Sequence, residues 1–163
     1  MNNVEVELIL RENISESTEL YRKGNADGLF NVFPDIIMLN SDGIHTKVVY
    51  IADRSETGDV IVGRPEFTSL ADLKGKKVSF EGINSFSHLF VLKALEESGI
   101  EEYDVAFENV SAMGVLNALE ENKIDVGHTW EPVTSEALKG TGRSLICSGC
   151  PGFSNTMERI EEL

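Results

Sequence analysis

The period of apolar and polar positions changes repeatedly along the chain. Residues 4–10 alternate and then become continuously apolar, which predicts a strand, whereas residues 15–22 carry a capping serine and an acidic first turn, which predicts a short helix. Gly24-Asn25 closes that helix. Residues 26–30 read as another strand, Pro34 suits the first turn of a helix whose apolar face is residues 36–39, and residues 47–52 form a further β-rich run. The second half alternates more clearly. Ser69 caps a short turn (SLADL) that Gly75 breaks, residues 77–81 form a strand, and Ser85 or Ser87 caps a helix reaching about Glu97, with Leu89, Leu92 and Leu95 on one face. Strands at residues 104–109, 125–129 and 144–147 then alternate with helices at 112–121 and 131–138. This spacing implies βαβ units and therefore a largely parallel sheet covered on both faces.

Composition narrows the partners more than the fold. The 163 residues carry 28 acidic against 14 basic side chains, a net charge of −14, which repels phosphate backbones and anionic membrane surfaces. Nucleic acid is accordingly not an expected partner. With 41% hydrophobic residues the chain can bury a sizeable core, yet its apolar runs fall far short of the roughly 20 residues needed to span a bilayer. The opening MNNVEVELIL lacks the basic region, apolar stretch and small-residue cleavage site of a secretory signal. If the natural protein is exported, this sequence reads as a mature or trimmed form.

Several segments carry a resemblance in a fixed order: DRSETGDVIVGR, SLADLKGKKV, EGINSFSH, a long helix ending at Gly99, ENVSA and ENKIDVGHTWEP. Together they resemble the periplasmic solute-binding proteins of ABC importers of the nitrate, sulfonate and taurine type. The resemblance runs from about Val4 to Gly152 and implies an α/β, periplasmic-binding-protein-like fold with parallel-rich sheets flanked by helices. It also implies a partial first lobe over residues 1–54, a nearly complete second lobe over 55–150 and a C-terminal return segment or helix over 151–163. Both ends then look shortened relative to the family. The function so implied is binding of a small polar or anionic organic solute in an interlobe cleft, for import through an ABC transporter permease, with periplasmic or extracellular-surface localisation. No catalysis and no cofactor are expected.

In open α/β sheets ligands gather beyond the C-terminal ends of strands, where helix N-termini turn their amides outward. Ser85 and Ser87 stand at such a junction, and either can cap its own helix or donate to a bound oxyanion. Asn109 and Ser111 follow the next strand; the amide of Asn109 can donate to a ligand, and Ser111 suits a helix cap. Asn31, in FNVFP, is the corresponding residue of the first lobe. Ser55 and Asp59 match polar positions around the family cleft, and Asp59 can hold an amine or serve as a hinge carboxylate. Trp130 and Glu131, in TWEP, offer a flat aromatic contact and an acceptor, although a lone tryptophan also suits a core. The histidines show no metal-ligand spacing, and His88 reads as structural.

Two further readings remain open. The Cys147-Ser148-Gly149-Cys150 motif follows a strand and precedes an expected helix, the context of a thiol–disulfide oxidoreductase, but thioredoxin-like folds carry it after the first strand. No metal site is assembled around it, since no nearby histidine completes a tetrahedral set. The other reading is a sensor or interaction fragment that oligomerises, a second copy supplying the strands its first lobe lacks. P-loop, GxSxG and HExxH patterns do not occur in the sequence.

Overall fold

The computed structural model describes residues 5–53, 57–139 and 142–149. The chain divides into two compact units, Met1–Thr46 and Lys47–Leu163. In the first, helix α1 (Ile14–Arg22) begins at Asn13, whose side-chain oxygen accepts from the Glu16 amide at 2.9 Å. The cap is therefore two residues earlier than the expected Ser15, because Asn13 reaches an amide that would otherwise lack a partner. Gly24, at φ +72°, ends the helix with its amide bonded to the Tyr21 carbonyl, a left-handed turn that glycine adopts without a Cβ clash. Helix α2 (Phe33–Ser41) has Pro34 in its first turn, as expected, and buries Leu39.

The strands expected at residues 4–10, 26–30 and 47–52 do not form among the described residues. Leu8, Phe30 and Val49 are 69%, 80% and 87% exposed. Their alternation is genuine, but a strand exists only through ladder bonds to a neighbour, and these segments have none among the described residues.

The second unit holds one sheet of five strands in the order β3-β2-β4-β1-β5. They are β1 (Val60–Gly63), β2 (Lys77–Phe80), β3 (Ala106–Asn109), β4 (Val126–Thr129) and β5 (Ser144–Ser148). β2 pairs in parallel with β3 and β4, while β1 runs antiparallel to both β4 and β5. Four strands thus point one way and β1 alone points the other. No expected element corresponds to β1. Its signal is the short apolar run VIV between Gly58-Asp59 and Gly63, which suits a fully buried strand.

Helices cover both faces, as the alternation predicts. On one face α3 (Phe86–Glu97) packs Phe90, Val91, Ala94 and Leu95 against Ile61, Val78, Phe80 and Val126. On the other, α4 (Val115–Glu120) and α5 (Val133–Leu138) pack Val115, Ala118, Leu119 and Ala137 against Val60 and Val62. Val60 and Val62 on one side and Ile61 on the other display the period of two. Each fully buried aliphatic or phenyl side chain contributes about 1.5–3 kcal/mol, so the sheet and its covering helices dominate the stability of this unit. Gly127 lets α4 approach the sheet: a Cβ there would lie 2.5 Å from Ser79 Oγ and 2.9 Å from a Val115 methyl.

At the far end of the sheet the SLADL turn is locked by Asp72. Its carboxylate accepts from the Thr68 and Ser69 amides, both at 2.9 Å, and from Ser69 Oγ at 3.1 Å. Chiefly the Thr68 amide bond, then those from Ser69, hold the Asp72 carboxyl below its ordinary value of 3.8.

Candidate functional site

β2, β3 and β4 are parallel, so their C-terminal ends open on one edge of the sheet, and the antiparallel β1 starts there, Val60 opposite Thr129. That edge gathers Asp59, Glu81, Ser85, Ser87, Asn109, His128 and Trp130 from four different strand ends and the start of α3.

The centre is a line of three side chains. Ser87, in the first turn of α3, is 4% exposed; its oxygen accepts from the Glu81 amide at 2.9 Å and lies 2.8 Å from His128 Nδ1. The other ring nitrogen of His128, Nε2, lies 3.4 Å from Asp59 Oδ1 without making a hydrogen bond. His128 is 0% exposed and is packed among Phe86, Phe90 and Trp130, with ring centroids at 6.0, 4.6 and 5.7 Å. The tautomer follows from the partners. With the Glu81 amide already donating to Ser87 Oγ, the hydroxyl proton is directed at Nδ1, which leaves the ring proton on Nε2, facing the carboxylate. The opposite choice would strand a buried hydroxyl proton and set a nitrogen lone pair against Asp59.

Around this line the polar groups are fixed by the backbone. Ser85 is the N-cap of α3: its oxygen accepts from the His88 amide at 3.2 Å, and its hydroxyl donates to the Glu81 carbonyl at 2.5 Å. Asn109 ends β3, and its Oδ1 accepts from the Gly82 amide at 3.0 Å, which leaves its NH2 group to donate outward from an exposed side chain. Trp130 is half-buried beside His128. Glu131 turns to α5 instead, accepting from the Ser135 amide at 3.2 Å and its hydroxyl at 2.9 Å.

One capping expectation changes. Ser111 occupies the position before the 3-10 turn Ala112–Gly114, but its side chain makes no cap bond. The Ala112 amide is taken by the Glu81 carboxylate at 2.8 Å. Glu81 and Glu131 therefore each answer to a neighbouring helix start. His88 has a structural place, accepting from the Asn84 amide at 3.2 Å and stacked on Phe80 with ring centroids 4.2 Å apart.

Asn31 belongs to the first unit, where its NH2 donates to Thr18 Oγ1 at 3.3 Å and its Oδ1 accepts from the Val32 amide at 2.9 Å. Ser55 lies outside the described residues, as does Cys150 of the CSGC motif. Cys147 packs against the α3 side of the core. Among the described residues no cluster of His, Cys, Asp and Glu is arranged to hold a metal ion, and no helix is long and apolar enough to cross a membrane.

His128 is the residue that sequence reasoning passed over. DVGHT alternates, so His128 shares a face with Val126, and a histidine on the buried face at a strand's C-terminal end was the available signal. Its two partners, far away in sequence, were not legible.

Known proteins resemble this chain over part of their length. An aliphatic sulfonates-binding protein of Escherichia coli is 31% identical over 81 residues, which is 50% of this chain and 25% of that protein. The crystal structure of the periplasmic aliphatic sulphonate binding protein of Escherichia coli aligns with 27% identity and a TM-score of 0.53, covering 59% of this chain and 34% of the other. A ligand-binding component of an ABC-type import system from Staphylococcus aureus shares the fold more extensively, with a TM-score of 0.71 over 90% of this chain and 51% of the other, at 16% identity. The chain thus spans between a quarter and about half of the length of these relatives. With a periplasmic-binding-protein fold, a polar edge at the C-terminal strand ends and a match of residues 1–155 to the NMT1/THI5 like family model, the chain belongs to the NMT1/THI5-like family.

Proposed function

We propose that the chain binds a small polar or anionic organic solute, of the nitrate, sulfonate and taurine class, at the C-terminal edge of its sheet, for import through an ABC transporter. The observation that carries this is the convergence of Asp59, Ser85, Asn109 and Trp130 around the start of α3, in a chain 31% identical over 81 residues to a protein described as sulfonate-binding. The outward NH2 of Asn109 and a dipole that favours negative charge by about 0.3–1 kcal/mol suit an oxyanion. Nothing in the arrangement calls for chemistry on the solute: the one histidine aligned with a serine is buried, and that serine is already bonded to the Glu81 amide.

Residues 1–54 and 55–150 are the two lobes in this proposal, with residues 151–163 as a return segment. Ser87 and Glu131 act one step back, Ser87 through His128 and Glu131 through the start of α5. Periplasmic placement and work with a permease are part of this reading, supported by relatives described as periplasmic and as a component of an ABC-type import system.

A thermal-shift series with nitrate, alkanesulfonates, aminoalkanesulfonates and bicarbonate tests the proposal. A bound solute at 100 times its dissociation constant stabilises by about 2.7 kcal/mol, and Trp130→Ala removes that gain. A panel in which no solute raises the melting temperature contradicts it.

A further inference from the structure

Ser111 stands where a serine ordinarily spends its hydroxyl oxygen on an amide of the turn it precedes. Its backbone is extended, at φ −61° and ψ 148°, as that position requires, yet its side chain makes no cap bond. The amides of the turn are met without it. The Ala112 amide donates to the Glu81 carboxylate at 2.8 Å, the Gly114 amide to the Ser111 carbonyl at 2.8 Å, and the Val115 amide to the Ala112 carbonyl. Glu81 reaches the turn from the end of β2, 31 positions earlier in the chain. Two backbone bonds fix it there: its amide donates to Ser87 Oγ at 2.9 Å, and its carbonyl accepts from Ser85 Oγ at 2.5 Å. The first amide of the turn thus has a partner that does not depend on Ser111, and the serine keeps an exposed hydroxyl.

The place of that hydroxyl follows from β3. The Val110 amide still donates to the Phe80 carbonyl at 3.1 Å, so the ladder with β2 continues one residue past Asn109. Side chains alternate along such a segment, which puts Asn109 and Ser111 on one side of it. Two positions along an extended chain are about 6.6 Å apart, a span that one oxyanion with several oxygens bridges. Gly114 is the second observation. Its backbone, at φ −86° and ψ −9°, is one that any residue adopts, and alanine would favour the helix more. A Cβ there would lie 3.1 Å from Ser111 Oγ and 3.4 Å from a Val110 methyl. What the glycine preserves is therefore room around the Ser111 hydroxyl.

We propose that Ser111 is a further solute-binding residue, its hydroxyl donating beside the Asn109 NH2 to the same oxyanion. Glu81 and Gly114 are its positioning residues: the glutamate relieves the serine of capping, and the glycine leaves its hydroxyl free to turn outward. A serine hydroxyl carries one donor and two acceptor sites, and with no amide to hold, that donor is available to a ligand. This deepens, and rests on, the binding site proposed above.

The test titrates ethanesulfonate, 2-aminoethanesulfonate, nitrate and bicarbonate calorimetrically into the unaltered chain, Ser111→Ala, Ser111→Thr and Gly114→Ala, and records the melting temperature of each without solute. Every probe that binds the unaltered chain is expected to bind Ser111→Ala about tenfold more weakly, a difference of about 1.4 kcal/mol. The melting temperature of Ser111→Ala stays where it was, and Ser111→Thr, which keeps the hydroxyl, restores most of the affinity. Gly114→Ala weakens the same probes without lowering the melting temperature. If Ser111→Ala leaves the affinity unchanged, or if Ser111→Thr restores none of the loss, the role of Ser111 is overturned while the binding site stands. If none of the four probes binds the unaltered chain, the site itself is overturned, and the role of Ser111 with it.

Discussion

Ser87 and His128 show how a residue's place decides its work. Ser87 reads in the sequence as a hydroxyl at a helix start, equally suited to a cap or a ligand, and Ser85 two residues earlier reads the same way. In the fold Ser85 takes the cap and Ser87 turns inward, accepting from the Glu81 amide and facing His128. The choice was not legible because it depends on which serine the 3.6-residue period directs at β4, and on a histidine 41 positions away. Ser87→Ala leaves a partly buried amide and a buried imidazole nitrogen without their partner. The expected cost is about 1–3 kcal/mol, read as a lower urea midpoint. A change below about 0.5 kcal/mol, the ordinary size for a surface substitution, contradicts the buried line.

The elements of the second unit were legible nearly throughout, and those of the first only in part. β2, β4 and α3 declared themselves through alternation, a capping serine and glycine stops, all properties of local sequence. β1 was missed because three apolar residues between glycines are too few to show a period, although that strand sits between β4 and β5 and carries Asp59 at its start. The runs at residues 5–10 and 47–52 failed in the opposite sense: the period is right, and no ladder partner is present among the described residues. Short turns are set by individual side chains, and the SLADL turn is the clearest. Asp72 has a depressed folded-state pKa, so its contribution to stability is fully present above the ordinary value of 3.8 and is lost as pH falls through the lower folded value. Asp72→Asn removes that contribution, and the fall in stability below about pH 4 becomes shallower than in the unaltered chain when followed by denaturant unfolding. An identical acid profile for the two proteins contradicts the role given to Asp72.

The molecule as a whole carries a net charge of −14, yet its relatives are described as binding sulfonates, which are anions. The arrangement of the sheet reconciles these facts in part. The Asn109 amide supplies a neutral donor for oxygens, and among the described residues lysine and arginine flank the strands at the opposite end, leaving the binding edge to that donor, an aromatic face and carboxylates. Family and fold were therefore within reach of the sequence, through SLADLKGKKV and TWEP. The electrostatic character of the edge required knowing which ends of the strands coincide. Trp130 is the chain's only tryptophan, and it stands at that edge beside His128. Its emission consequently reports on the site without a label. Titration of the chain with the panel of small oxyanion solutes is the most direct test. The account predicts a saturable, reversible change in Trp130 emission, with the solute recovered chemically unchanged. Emission that stays constant across the whole panel, or a solute consumed on incubation, contradicts it.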